Sequence, residues 1–353
     1  MTPVPATPRI KDIAKLAGVS IGTVDRVLHN RGEVAAPTRE KILKIANDLS
    51  YSPNLMARAL KSNAKSRIVV LFPESSEPDS FWYKHHVGLD RLMHELSSLP
   101  VVVHKVEFNM LSESNFSEKM DEVLSLSPDG VLIAPVFRHE TRLFCQKLSE
   151  VSIPYVFIDS YISEENFLAF IGEDAYQSGR VAAQLIDYGT PSDKDILIVN
   201  LVRDFENALH LNSRMQGFLS YFMDAGKNNG LKISLEIQRH EDDEVAERLG
   251  QVLRNNPNIG AVFVTSSKAY KVARYFEEKG IRGINLIGYD LLDRNVKYLR
   301  TGYIRFLLSQ RPVEQIKKGV EKLYEFLAFN RVPVSLEYLP IDVVTPENVN
   351  FFI

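Results

Sequence analysis

Residues 9–62 read RIKDIAKLAGVSIGTVDRVLHNRGEVAAPTREKILKIANDLSYSPNLMARALKS. Two short helical patterns open this stretch, with Ile10, Ile13, Ala14 and Ala17 on one face of the first and Val24, Val27 and Leu28 on one face of the second. Only Gly18-Val19 separates the two patterns, and Ser20 is a good N-cap for the second helix. Two short amphipathic helices joined by such a turn predict a helix-turn-helix unit, whose second helix enters the DNA major groove.

A third helix is predicted after a further turn, with Thr38 as its N-cap. Its buried stripe is expected to consist of Ile42, Ile45, Ala46 and Leu49. Residues 9–52 are therefore predicted to form an all-α head with a small apolar core of its own.

The second helix has an outer face opposite its apolar stripe, and this face is expected to meet DNA. The predicted DNA-contacting set on and beside it consists of Ser20, Ile21, Gly22, Thr23, Asp25, Arg26 and His29. Short polar and charged side chains of these types can contact base edges or phosphates.

The segment from Asp12 to Leu60, DIAKLAGVSIGTVDRVLHNRGEVAAPTREKILKIANDLSYSPNLMARAL, is similar almost throughout to the N-terminal head of the lactose-repressor (LacI) family. The resemblance implies that Ile21, Gly22 and Arg26 read base edges. Where the family usually has T-V-S-R, this chain has T-V-D-R, with Asp25 in place of serine. Asp25 either accepts a hydrogen bond from a cytosine amino group or is held away from DNA by a neighbouring basic side chain.

The motif PNxxARxL, at residues 53–60, resembles the family's hinge helix, which folds on DNA and inserts a leucine into the minor groove. It implies DNA contacts by Asn54, Ala57, Arg58 and Leu60. An inserted apolar side chain unstacks a base step and bends the duplex. Outside this motif Leu60 would be interpreted as an ordinary core residue.

Charge is unevenly distributed along the chain. The whole chain has a formal net charge of -3, yet residues 1–67 hold 12 Lys+Arg against 5 Asp+Glu, which leaves +7 there and -10 in the remainder. A basic head on an acidic body is typical of a protein that binds phosphate backbones with one domain.

Beyond residue 66, short apolar runs alternate with amphipathic helical patterns in two series, which predicts an α/β fold with mainly parallel sheets. The segments GVLIAPV, IPYVFID, EDAYQSGRVAAQLI, RMQGFLSYF, GINLIGYD and VTPENVNFFI resemble landmarks of the same family. The resemblance implies a two-lobed, type I periplasmic-binding-protein-like effector domain. The expected plan is a disordered tail (1–8), the head (9–52), a hinge helix and linker (53–66), and the effector domain (67–353). Within that domain an N-lobe is expected at about 67–163 and 300–330, and a C-lobe at about 164–299 and 331–353.

Motifs of other protein classes are few. Residues 18–22 match G-x-S-x-G, but a helix precedes them, whereas the nucleophile elbow of hydrolases follows a strand. Dinucleotide, P-loop and H-E-x-x-H motifs are lacking, and the adjacent pair His85-His86 would point in different directions on a helix. We therefore expect no enzymatic activity, no cofactor and no metal.

The single cysteine, Cys145, excludes an intramolecular disulfide, and the first residues lack the apolar core of a signal peptide. No apolar run approaches the roughly 18 residues of a membrane span. The expected location is the cytoplasm, without membrane contact.

The predicted effector site combines an aromatic loop with charged residues. Phe81 and Trp82 follow the first strand, at the sheet edge where α/β proteins bind ligands. In related sugar-binding proteins an aromatic residue stacks on the sugar here; the alternative for Trp82 is a core anchor.

The family resemblance also implies that Arg214 and Asp290 hydrogen-bond the effector, and an inter-lobe salt bridge is the competing interpretation. Further candidates are Asp174, Asn207, Asn212 and Gln310. The family's usual Asn-Asp is replaced by Ser266-Ser267, so the effector's identity stays open.

These features predict a transcriptional regulator that binds a pseudo-palindromic, double-stranded operator as a homodimer. A small-molecule effector, expected to be a sugar, would change its DNA affinity by binding between the lobes. The alternative is a stand-alone cytoplasmic protein that binds or converts sugars.

Overall fold

The computed structural model describes residues 10–28, 34–49, 65–75, 77–201, 209–226, 230–238 and 241–353. The chain divides into two units, Met1–Asn63 and Ala64–Ile353. Each has its own apolar core.

The first unit contains three helices, α1 (Ile10–Ala17), α2 (Ile21–Leu28) and α3 (Ala36–Asp48). Its buried core consists of Ile13, Ala14, Ala17, Val24, Val27, Ile42 and Ala46, with the remaining residues of the predicted stripes packed against it. Gly18 lies at φ 70° between α1 and α2, a left-handed conformation that glycine adopts without steric strain. The predicted apolar faces of the three helices are confirmed.

The predicted cap of the third helix was wrong. Helix α3 begins at Ala36, and the backbone N–H groups of Thr38 and Arg39 both donate to Ala35 O at 3.0 Å. Pro37 fits the first turn because the nitrogen there needs no hydrogen bond within the helix. Thr38 therefore lies inside the helix rather than before it.

The second unit contains two six-stranded sheets. The first lobe is built on the order β11-β5-β4-β3-β1-β2 and the second on the order β12-β10-β9-β8-β6-β7. The first-lobe elements are β1 (Ser66–Pro73), α4 (Phe81–Glu95), β2 (Val101–Phe108), α5 (Glu113–Ser125), β3 (Gly130–Ile133), α6 (Arg138–Glu150), β4 (Tyr155–Ile158), β5 (Ala169–Gly172) and β11 (Leu336–Tyr338).

The second-lobe elements are α7 (Ala175–Gly189), β6 (Asp195–Leu201), α8 (Leu209–Asp224), β7 (Lys232–Ile237), α9 (Asp242–Asn255), β8 (Ile259–Val264), α10 (Ala269–Glu278), β9 (Asn285–Tyr289), α11 (Asp293–Arg300), β10 (Phe306–Ser309) and β12 (Asp342–Val344). Helix α12 (Pro312–Phe329) packs on the first sheet, where Ile316, Val320 and Leu323 join the core. All described strand pairs are parallel except β10 with β12. The expected α/β alternation is confirmed.

Three strands lie in the other lobe from the one that the sequence suggested. Strand β5 pairs with β4 of the first sheet, although residues from 164 onward were assigned to the C-lobe. Strand β10 pairs with β9 of the second sheet, and β11 pairs with β5 of the first. Strand pairing decides membership, and it depends on hydrogen bonds between segments remote in sequence. Among the described residues, no helix is long and apolar enough to span a bilayer.

Candidate functional site

Helix α2 presents one buried face and one accessible face. Val24 and Val27 are buried in the head, while Ile21 on the opposite side is 56% exposed. The Ser20 hydroxyl accepts a hydrogen bond from the Thr23 backbone N–H at 3.1 Å, so Ser20 is the N-cap that the sequence predicts.

The accessible face also contains Gly22 and Arg26, both exposed, and Asp25 is partly exposed beside them. The Arg26 guanidinium Nε donates to Gly22 O at 3.3 Å. Five predicted DNA contacts, namely His29, Asn54, Ala57, Arg58 and Leu60, lie outside the described residues. A compact helix that exposes a polar and basic face is the form that enters a major groove.

A second candidate site lies where parallel strands of both sheets end. Asp159 follows β4, and Asp290 follows β9, which occupies the same position in the second sheet. The two residues adopt left-handed conformations, at φ 69° and φ 67°. Glu173 after β5 corresponds in the same way to Gln310 after β10. The polar groups of this site thus occupy equivalent strand ends in the two lobes.

Arg214 on α8 is the largest fully buried side chain of the described chain, with 1% exposure. Its Nε donates to Glu173 Oε1 at 2.7 Å and its Nη2 bonds the same oxygen, while Nη1 donates to Thr265 O at 2.7 Å. The guanidinium carbon lies 3.7 Å from the centre of the Tyr289 ring. The ion pair with Glu173, which follows a first-lobe strand, is the kind of contact that the salt-bridge interpretation describes.

Two glycines fix the position of Arg214 by allowing α7 and α8 to approach closely. A Cβ on Gly179 would lie 2.0 Å from Arg214 O, and a Cβ on Gly217 would lie 1.9 Å from Tyr176 O. Because these distances are far below van der Waals contact, only glycine fits at either position. The sequence thus sets the helix contact that presents the guanidinium.

Asp290 is held by side chains of its own lobe. Its Oδ2 accepts from Gln310 Nε2 at 2.8 Å. Asn295 Nδ2 donates to Tyr289 O at 2.9 Å, to Asp290 O at 3.0 Å and to Ser267 O at 2.9 Å. These bonds stabilise the left-handed turn after β9 and fix the carboxylate.

A chain of hydrogen bonds connects the two lobes behind this site. Gln315 on α12 donates through Nε2 to Gln310 O at 2.9 Å, and its Oε1 accepts from the Asp159 backbone N–H at 2.9 Å. Gln315 has no exposed surface. The position of the Asp159 turn is therefore coupled to the loop that holds Asp290.

The carboxyl groups of the site are poorly solvated. Burial raises the pKa of Asp159 to about 7; Arg214 opposes the rise and Glu173 adds to it. Burial likewise raises the pKa of Asp290 to about 7; the charge of Arg214 lowers this pKa and the charge of Glu173 raises it further. His210 Nδ1 lies 3.9 Å from Asp159 Oδ2, and burial together with Arg214 lowers the pKa of His210 to about 3. The imidazole is therefore neutral at ordinary pH.

The predicted aromatic residues begin helix α4. Trp82 is 8% exposed and belongs to the first-lobe core, and its ring lies 4.6 Å from that of His85 and 5.2 Å from that of Phe81. This burial favours the core-anchor interpretation of Trp82. Phe81 is partly buried and packs against the same core.

The remaining residues that were predicted to contact the effector lie in different parts of the second unit or outside the described residues. Asp174 Oδ1 accepts from the Gln177 backbone N–H at 2.9 Å and so caps α7. Asn212 is partly buried on α8, and Asn207 lies outside the described residues. Within the described ranges, no group of three or more histidine, cysteine, aspartate or glutamate side chains is arranged to hold a metal ion.

Sequence reasoning missed five residues of the site, namely Asp159, Glu173, His210, Asn295 and Gln315. An acid directly after an apolar run, as in YVFID and FIGED, was a signal that could have identified the first two. The other three lie on helices whose contacts follow only from the fold.

Comparison with known proteins gives a family match for the head and another for the two-lobed unit. Residues 9–54 match the bacterial regulatory proteins of the lacI family, and residues 50–331 match the periplasmic binding protein domain. The chain belongs to the LacI family. It is accordingly a DNA-binding transcriptional regulator with a periplasmic-binding-protein-like domain, and the predicted fold class is confirmed.

Two relatives of this LacI-family chain are similar over 80% or more of its length. It is 26% identical over 350 residues to the ribose operon repressor of Lactococcus lactis subsp. lactis, which covers 96% of this chain and 97% of the relative. It is 26% identical over 293 residues to the transcriptional repressor PurR of Photobacterium profundum, covering 80% and 82%.

Solved structures share the two-lobed fold. A protein described as a LacI transcriptional regulator from Bacteroides fragilis superposes with a TM-score of 0.75 at 28% identity, covering 81% of this chain and 99% of that one. A glucose-galactose binding protein from Geobacillus stearothermophilus gives a TM-score of 0.71 at 20% identity, covering 81% and 99%. The second likeness concerns the fold alone.

Proposed function

We propose that this regulator represses transcription from a pseudo-palindromic operator, which it binds as a homodimer, and that a carbohydrate bound between its lobes changes its operator affinity. The observation that carries the effector half of the proposal is the buried polar site of Asp159, Glu173, Arg214 and Asp290. The proposed location is the cytoplasm, where the operator is accessible, and no enzymatic activity is assigned.

The composition of the site supports a polyol. Carboxylates and a guanidinium on opposite sides of a cleft form strong, directional hydrogen bonds with the hydroxyl groups of a sugar ring. Open α/β sheets bind ligands at the carboxyl ends of their strands, where Asp159, Glu173 and Asp290 lie and where Arg214 of α8 reaches Glu173. Two relatives are named for sugar operons, the ribose operon repressor and the sucrose operon repressor.

The mechanism is thermodynamic linkage between the effector cleft and the DNA-binding head. A ligand that contacts both Asp159 and Asp290 binds one relative orientation of the lobes better than another, and so shifts the population toward it. The Gln310–Gln315 hydrogen bond transmits that orientation between the lobes. By reciprocity, operator DNA changes the affinity for the effector by the same factor.

A stand-alone sugar-binding or sugar-converting protein is the alternative function. The likeness to a glucose-galactose binding protein is compatible with the sugar-binding version. The head, with its exposed face on α2, favours the regulator because a sugar carrier needs no such helix.

The test begins with selection of an operator from a randomised DNA library by the full chain. Fluorescence anisotropy then measures operator affinity with and without a panel of sugars. Arg26→Ala is expected to weaken operator binding by roughly 1 to 3 kcal/mol. Asp290→Ala, which removes the hydrogen-bonding group altogether, is expected to bind the operator normally and to lose the sugar response. No selected sequence, or equal binding of all sequences, would reject the regulator.

A further inference from the structure

We infer that the effector is a polyhydroxyl compound without negative charge, and that this cleft rejects sugar acids and sugar phosphates. The inference rests on the proposed function and deepens it by naming the charge class of the ligand. It follows from which hydrogen-bonding atoms of the buried site remain uncommitted.

The uncommitted atoms are mainly acceptors. Glu173 and Asp290 are each only 3% exposed, and Glu173 Oε2 and Asp290 Oδ1 have no hydrogen-bond partner among the described residues. Asp159 contributes a third carboxylate, which is 8% exposed. Carboxylate oxygens accept hydrogen bonds and, when ionised, donate none. Above about pH 7, where Asp159 and Asp290 are ionised, a bound molecule must therefore bring donors, as hydroxyl or ammonium groups do and ionised carboxylates or phosphates do not.

Among the described residues of the site there is one guanidinium, that of Arg214, and it is not free to receive an anion. Recognition of a carboxylate or phosphate by arginine typically uses two parallel N–H bonds from one edge of the guanidinium. The Nε/Nη2 edge of Arg214 is occupied by Glu173, and Nη1 on the other edge donates to Thr265 O. Tyr289 covers one face of the group. A ligand anion could gain at most single bonds from Arg214.

The charges of the site also disfavour an anionic ligand. Three buried carboxyl groups surround one guanidinium, and each aspartate is repelled by Glu173 as well as attracted by Arg214. His210 adds no positive charge, since burial and Arg214 lower its pKa to about 3. In a site of low polarity, a further negative charge is strongly disfavoured. An amino group on the ligand would be tolerated.

The experiment compares matched ligands on the full-length protein by isothermal titration calorimetry. Each sugar ring is offered in neutral, amino, acid and phosphate forms: D-glucose, D-glucosamine, D-glucuronate and D-glucose 6-phosphate, with D-ribose and D-ribose 5-phosphate as a second series. Larger neutral pentose, hexose and disaccharide sets extend the panel. We expect a neutral or amino form to bind at least about tenfold more tightly than the acid or phosphate of the same ring. Tighter binding of any acid or phosphate overturns the inference, and so does failure of every neutral and amino form to bind.

Two variants separate charge selectivity from affinity. Glu173→Gln releases one edge of Arg214, and Asp290→Asn removes one negative charge while it keeps the Arg214–Glu173 pair. Each is expected to reduce the ratio of neutral to acid affinity by roughly tenfold. Glu173→Gln leaves a buried arginine without its ion partner, so Asp290→Asn supplies the result if that variant does not fold. An unchanged ratio in Asp290→Asn contradicts the charge argument.

Operator binding keeps the two proposals distinguishable. If a sugar acid binds and changes operator affinity, the inference about charge fails and the proposed function stands. If the chain binds an operator and no sugar of any class binds it, the carbohydrate effector and the charge class both fail, and the DNA-binding regulator remains.

Discussion

The two lobes of the effector domain share a strand order but surround their equivalent aspartates differently. Asp290 in the second lobe is fixed by local contacts, through Gln310 to its carboxylate and through Asn295 to its carbonyl. Asp159 in the first lobe bonds Gln315 through its backbone, and its carboxylate faces His210 of the second lobe at 3.9 Å.

This difference indicates a division of roles. The second lobe has a preformed polar wall, whereas the electrostatic surroundings of Asp159 depend on side chains that the second lobe supplies. A change in the relative orientation of the lobes therefore alters Asp159 more than Asp290.

The largest expected effect is on the ion pair between Arg214 of the second lobe and Glu173 of the first. Arg214→Ala should lower the free energy of unfolding by about 3 to 5 kcal/mol, because it leaves Glu173 buried without its ion partner. Arg180→Ala is a matched control on the same helix pair: Arg180 bonds Asp224 at 2.6 Å, but that carboxylate is 63% exposed. This pair should contribute about 0 to 1 kcal/mol. Urea denaturation measures both, and equal losses would contradict the assignment of a buried pair.

The next largest effect is expected where α7 and α8 pack closely together. Gly179→Ala should lower the free energy of unfolding by about 1 to 3 kcal/mol or more, since the new Cβ meets Arg214 O. It should also weaken sugar binding by displacing Arg214. Gln184→Ala, at an exposed position of α7, should change stability by no more than about 0.5 kcal/mol. Thermal unfolding compares the two, and a stable Gly179→Ala protein would show that the helices can separate freely.

The contact between lobes outside the polar site can be broken separately. Asp79, in the loop after β1, accepts from the backbone N–H groups of Asp293 at 2.5 Å and Arg294 at 3.0 Å, and from Arg294 Nε at 2.8 Å. It therefore caps the start of α11 from the opposite lobe, and Asp79→Ala should lower stability by about 1 kcal/mol. Without ligand, the lobes of this variant should also lie farther apart than those of the parent. Small-angle X-ray scattering would detect this as an increased radius of gyration.

Glu77→Ala is the control for this contact, because the Glu77 carboxylate is 74% exposed and meets Arg294 only at 3.4 Å. If both variants give the same scattering as the parent, Asp79 does not hold the lobes together.

The protonation of Asp290 gives an effect on stability that depends on pH. Burial raises the pKa of Asp290 from 3.8 to about 7, so the folded protein keeps a proton that the unfolded chain has lost between these values. Its contribution to stability is present below about pH 4 and is lost as the pH rises through about 7. The free energy of unfolding of Asp290→Asn should therefore rise relative to that of the parent between about pH 4 and 7. Above about pH 7 the difference between the two proteins should stay constant.

Histidines with lowered pKa values give the opposite slope, but they are present in both proteins and cancel in the comparison. Urea unfolding at a series of pH values measures the difference. A difference that does not vary with pH would mean that Asp290 is ionised throughout.

In the head the expected effect is on DNA binding and not on stability. Asp25→Ser should strengthen binding to random-sequence DNA, because it removes a negative charge near the phosphates and adds a hydroxyl donor. If Asp25 reads a base, preference at one position of each half-site also relaxes, by roughly 1 to 3 kcal/mol. A randomised half-site library at fixed salt measures both quantities. Weaker non-specific binding by the variant would exclude repulsion by Asp25.

The head could be interpreted almost entirely from its sequence, because its contacts are local. Apolar residues at helical spacing define three faces, and Gly18 and Ser20 mark the turn and the cap. The N-cap of α3 was misplaced by three residues, at Thr38 instead of Ala35, because Pro37 permits an earlier start to the helix. Helix boundaries depend on the hydrogen bonds of a few residues, and these are not encoded in periodicity.

The effector cleft depended on tertiary structure. Short apolar runs predicted its strands, and family resemblance pointed to Arg214 and Asp290. Strand pairing alone decided that β5 and β11 join the first sheet and β10 the second. That pairing brings Asp159 and Glu173 to the site, and it gives Arg214 a buried partner that changes what the guanidinium can bind. Periodicity describes which face of an element is buried, whereas the contacts between remote strand ends arise only when the whole chain has folded.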